Sequence, residues 1–72
     1  MIELRYPRQL YAGAAVDEAV KAFARFARFD LEEAPDHWVV RLEPHDPERA
    51  RRLVGELGNY ALGLTIQRGG PK

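Results

Sequence analysis

The apolar residues of this chain alternate between two periods, and the order in which the periods follow one another leaves few folds open. Ile2, Leu4 and Tyr6 alternate with Glu3 and Arg5 before Pro7, the period-two pattern of a half-buried strand. From Gly13 onward Val16, Ala19, Val20, Phe23, Phe26 and Ala27 recur at helical spacing, with Asp17, Glu18, Lys21 and Arg25 mostly on the opposite side. The acids come early in this segment and the bases late, the order that a helix dipole favours. Period two then returns. Phe29 and Leu31 alternate with Arg28, Asp30 and Glu32, Ala34-Pro35-Asp36 reads as a turn, and Trp38, Val40 and Leu42 alternate with Val39, Arg41 and Glu43. The two runs predict an antiparallel hairpin with one apolar face.

Asp46-Pro47-Glu48 signals a helix start, because Asp at the N-cap accepts a hydrogen bond from a free amide and Pro at the first helical position sacrifices no needed donor. The spacing of Ala50, Leu53, Val54, Leu57, Ala61 and Leu64 predicts a second helix from Pro47, with Gly63 as a plausible C-terminal stop. Leu64-Thr65-Ile66-Gln67 fits two patterns: an extension of that helix, or a short strand. The expected class is α+β, a small antiparallel sheet with two helices on one face in the order β-α-β-β-α. In the strand reading a fourth strand completes the ferredoxin-like split βαβ arrangement. Residues 1–68 are expected to form one domain, with 69–72 as a flexible tail.

Composition narrows the chemistry. A chain of 72 residues without cysteine has neither a disulfide framework nor a thiolate, so its core alone must hold it, close to the size where that becomes difficult. Eleven basic and eleven acidic residues cancel and are interspersed, which argues against a steering field for nucleic acid. The charged start Met1-Ile2-Glu3-Leu4-Arg5 resembles neither a signal peptide nor a membrane span, and a cytoplasmic protein is expected. There is no Ser, and Thr65 is the only Thr, without a base motif near it, so a covalent nucleophile is not expected. His37 and His45 stand at the two ends of one strand, roughly 25 Å apart at about 3.3 Å per residue, and cannot share a metal within one subunit. Asp30, Glu32 and Glu33 form the densest acidic group and read as a solvated sheet face or edge. Neither cofactor nor catalytic residue is expected.

Glycine supplies the positive signal. Gly55, Gly58 and Gly63 occupy a segment whose apolar spacing is helical, where each costs about 1 kcal/mol relative to alanine. Such positions mark a backbone that something else approaches closely. That neighbour is either helix one of the same chain or another molecule. Gly55 and Gly58 lie near one another on one helix face, with Asn59 and Tyr60 beside them and Arg51 and Arg52 one turn earlier. These six residues are the candidate interface.

Leu10-Tyr11 before helix one, the Ala19 to Phe26 run, Val39-Val40-Arg41-Leu42 followed by Pro44, the Asp46-Pro47 helix start, and Gly55-Glu56-Leu57 followed by Asn59 together resemble the HxsD family. These are small bacterial proteins of the His-Xaa-Ser system, encoded beside radical SAM peptide-modifying enzymes. The resemblance covers residues 2 to 63 and implies a non-catalytic accessory component of a peptide-maturation system, with no catalytic residues to carry over. The partners expected are a peptide, a second copy of the chain, or a radical SAM enzyme. An exposed sheet edge at strand one or the hairpin would accept an extended peptide by strand addition. The rival reading is nucleic-acid binding through Arg49, Arg51 and Arg52 with Arg8, Arg25 and Arg28. A small enzyme built on Asp30, Glu32 or a histidine is a third.

Overall fold

A computed structural model describes residues 1–71 and resolves the α+β expectation into β1 (Ile2–Pro7), α1 (Gly13–Ala22), β2 (Ala27–Glu33), β3 (His37–Pro44), a 3-10 turn (Pro47–Arg49) and α2 (Ala50–Gln67). The sheet has the order β1-β3-β2, with β3 antiparallel to both neighbours. Register sorts the side chains by face. Ile2, Leu42 and Phe29 form one row and Leu4, Val40 and Leu31 the next, and both rows meet the helices. Tyr6, Val40 and Leu42 of the sheet, Val16 and Ala19 of α1, and Leu53, Leu57 and Ala61 of α2 form the buried core.

The opposite face carries charge. Glu3, Arg41 and Asp30 lie in one row, and Arg5, Val39 and Glu32 in the next. Arg41 reaches Glu3 at 3.2 Å and Glu32 at 2.7 Å, while Arg5 meets Glu3 at 3.1 Å, so a ladder of ion pairs crosses the three strands. The hydrogen bond from Arg5, assisted by Arg41, holds the Glu3 carboxyl below its ordinary range. Val39 is nonetheless buried, enclosed on this face between Arg5 and Glu32.

Two boundaries differ from the sequence reading. Helical spacing runs on through Phe23, Phe26 and Ala27, yet α1 closes at Ala22, and the Phe26 N–H bonds the Phe23 carbonyl at 2.9 Å as the chain turns. Ala27 pairs with Pro44 instead, because β3 offers it a strand partner that local spacing cannot reveal. At the other end α2 passes through Gly63 to Gln67, so Leu64 to Gln67 extend the helix and the sheet keeps three strands.

The stop lies at Gly69 and Gly70. Their φ values of 90° and 121° suit glycine, and their N–H groups bond Ile66 O and Thr65 O, each at 3.0 Å, in the crossed pattern that closes a helix. Lys72, the last residue of the expected tail, lies outside the described residues.

Thr65 explains why the helix continues. Its buried hydroxyl accepts the Ala12 N–H at 3.1 Å and donates to Ala61 O at 2.9 Å, tying α2 to the residue that precedes α1. Asp46 caps the 3-10 turn as its position predicts, accepting the Glu48 N–H at 3.1 Å.

Candidate interaction surface

The buried stripe of α2 is Leu53, Leu57, Ala61 and Thr65, spaced four residues apart along one side of the helix. Helical geometry then sets what the other sides present. Tyr60 turns toward α1, where its ring meets Phe23 edge-on with centroids 5.5 Å apart. Gly58 turns toward β1, and a Cβ placed on it would lie 3.9 Å from the Tyr6 ring and hydroxyl. Gly55, Asn59, Leu62, Gly63 and Ile66 face away from the core and are exposed, Ile66 at 69%.

None of the α2 glycines is there to let α1 approach. A Cβ on Gly55 or Gly63 would meet nothing within 4 Å, and one on Gly58 would make an ordinary contact with β1. The expected juxtaposition of Gly55 and Gly58 is therefore only partial: Gly58 is half-buried against the sheet, whereas Gly55 stands open. Residues 57–67 include no charged side chain, so the exposed side of this stretch is neutral. Among the described residues, no helix is long and apolar enough to cross a membrane.

Arg52 is held by Glu56 at 2.7 Å, one turn later, and Arg51 is exposed. Arg52 also borders a groove of about 270 Å³ between the end of α1 and the start of α2. Phe23, Phe26 and Leu53 form its apolar lining, and Asp46, Arg49, Arg52 and Glu56 its charged rim. Phe26 is half exposed there. Sequence spacing placed Phe23 and Phe26 in the core of a longer helix and so missed the groove, and no local signal separates the two placements. Tyr6 lies in the core, as its place in the alternating strand predicts. Its hydroxyl is buried beneath α2 without a hydrogen-bond partner among the described residues, and burial, with Tyr11 nearby, pushes its pKa up to about 12.

The remaining candidates are dispersed. Arg8 stacks on Trp38, 4.3 Å from the ring centroid, and donates to Ala34 O at 2.9 Å at the hairpin tip. Arg25 and Arg49 sit at the opposite end of the sheet, where Arg49 meets Asp46 at 3.5 Å. Arg25 lies over the Phe26 ring, 5.6 Å from its centroid, so Arg25, Arg49 and Arg52 gather around the groove while Arg8 stands apart at the hairpin tip. His45 Nδ1 lies 3.1 Å from Arg25 O, while His37 begins the same strand at its other end. Among the described residues, no group of three or more His, Cys, Asp or Glu side chains is placed to hold a metal ion. Glu32 is paired with Arg41, and Asp30 lies in register with it on the outer face. Comparison with protein-family models, curated proteins and solved structures finds no match to this chain.

Proposed function

We propose that this chain is a non-catalytic interaction domain of the HxsD type, acting in the cytoplasm as an accessory of a radical SAM peptide-maturation system. The observation that carries the interaction reading is the set of α2 glycines whose missing side chains no neighbour within the chain requires. A helix that gives up roughly 2 kcal/mol at Gly55 and Gly63 without an internal gain is shaped for an external contact. Tyr60, Leu62 and Ile66 supply apolar area on the same helix, and the neutral stretch 57–67 avoids burying charge on docking.

The maturation context rests on the resemblance in residues 2 to 63. A peptide has a platform at the outer edge of β2. The Ala34 N–H bonds His37 O at 2.9 Å, and the His45 N–H bonds Phe26 O at 3.0 Å, in register with the β2–β3 ladder. Even-numbered β2 residues therefore face β3. The N–H and C=O groups of Ala27, Phe29, Leu31 and Glu33 point away, free for strand addition. Arg28, Asp30, Glu32 and Glu33 leave this strand with an acidic excess, which suits an incoming strand rich in basic residues or protonated histidine. The test is affinity capture from the native host with the whole chain as bait. A radical SAM enzyme or a small His-rich peptide is the expected catch. Recovery of neither in repeated trials contradicts the reading.

A further inference from the structure

The other edge of the sheet has a different chemistry. The Arg8 N–H donates to Asp36 O at 3.0 Å, continuing the register in which Pro7 pairs with His37. Even-numbered residues of β1 thus bond β3, and the N–H and C=O groups of Glu3 and Arg5 point outward. Pro7 O is already occupied by the Leu10 and Tyr11 N–H groups, each at 3.0 Å. The open edge is short, and its two charged side chains are opposite in sign.

We propose that this edge pairs with the β1 edge of a second copy of the chain, antiparallel and centred on Leu4, to give a continuous six-stranded sheet. In that register Glu3 faces the second copy's Arg5 and Arg5 faces the second copy's Glu3. Each such pair exchanges both its backbone N–H and its C=O. On the helix side Leu4 meets Leu4, and Ile2 meets Tyr6. Charge selects the register: the neighbouring registers that keep the apolar face inward are centred on Glu3 or on Arg5, and each sets like charges directly opposite. The β2 edge lacks this self-complementarity, because pairing two copies there doubles the acidic excess of Asp30, Glu32 and Glu33 over Arg28.

The inference rests on the reading of α2 as a contact surface and names the partner for one flank of it. Gly58 lies over Tyr6 of β1, and Leu62, one turn later on the same side, is 39% exposed. With no side chain at Gly55 or Gly58, that flank leaves room for the helix of the second copy when the two edges join.

Sedimentation of the whole chain, alone and in mixtures, tests the pairing independently of any peptide or enzyme partner. Wild type is expected to be a dimer. Glu3→Arg and Arg5→Glu should each weaken it by about tenfold or more, because each sets like charges opposite, and an equimolar mixture of the two variants should restore association. Arg5→Pro removes an outward N–H and an exposed ion pair with Glu3 but no bond of the β1–β3 ladder, so it should give a folded monomer by circular dichroism. A wild type that remains monomeric at about 1 mM overturns the proposal and leaves the β1 edge to an extended peptide. It is equally overturned if the charge variants or Arg5→Pro associate as wild type does, or if mixing restores nothing. Failure of affinity capture leaves these outcomes untouched, so the two readings fail separately.

Discussion

Gly13 and Gly55 are both helical glycines, and they are there for opposite reasons. A Cβ on Gly13 would lie 2.7 Å from two ring atoms of Trp38. That ring cannot yield, because its Nε1–H donates to Tyr11 O at 2.9 Å and Arg8 stacks on it. A Cβ on Gly55 would meet nothing within 4 Å. One glycine is demanded by the fold, and the other weakens its helix for no reason the fold supplies. Function is to be sought at a residue whose cost has no return inside the chain.

Substitutions should separate the two cases. The largest effect belongs to Gly13→Ala, which drives a methyl group into Trp38 and should destabilise the domain by about 1–3 kcal/mol, read from chemical denaturation. Thr65→Val should cost a similar amount, about 1–3 kcal/mol, since it leaves the buried Ala12 N–H without an acceptor. Gly55→Ala and Gly63→Ala should have the opposite sign, each stabilising the isolated chain by up to about 1 kcal/mol. Separated by two helical turns, the two gains should add. If either alanine is destabilising, its glycine has an internal role after all and the contrast with Gly13 disappears.

Smaller effects concern ionisation. Tyr6 titrates from about 12 in the fold against 10 in the unfolded chain, so the folded state holds its proton more tightly. The associated stability is complete below the unfolded value and is lost as pH rises from about 10 to about 12. Tyr6→Phe should abolish that part of the alkaline loss and leave neutral-pH stability unchanged or slightly raised, since the hydroxyl it removes has no partner. Glu3 works in the other direction. Its lowered pKa means that its contribution is present above the unfolded carboxylate range and falls away on acidification through the folded value. Glu3→Gln should flatten the acid limb of the stability profile by a small amount, because the ion pairs are exposed.

Most of the architecture was legible because period follows face: the strands, the hairpin and both helices lie where apolar spacing puts them. The boundary that differs and the segment that fitted two patterns have one origin. Ala27 leaves the helical pattern because Pro44 pairs with it across the sheet, and Leu64 to Gln67 stay helical with Thr65 tied to Ala12, far away in sequence. Neither partner is visible in a local window. The candidate surface was legible only in part. Three glycines in a helical pattern could be seen in the sequence, but which of them touch the chain itself could not. Gly58 faces Tyr6, Gly55 and Gly63 face open space, and Tyr60 and Arg52 turn toward the Phe23 groove. The aromatic lining of that groove was hidden because an exposed Phe26 and a buried one have the same spacing.

Gly55→Leu decides whether this face docks a partner, because its open surroundings let a large side chain enter without an internal clash. The account predicts a thermal midpoint raised by about 4–8 °C per kcal/mol gained, together with loss of the partner that wild-type bait captures from the native host. A stabilised variant that captures the same partner in the same yield would contradict it.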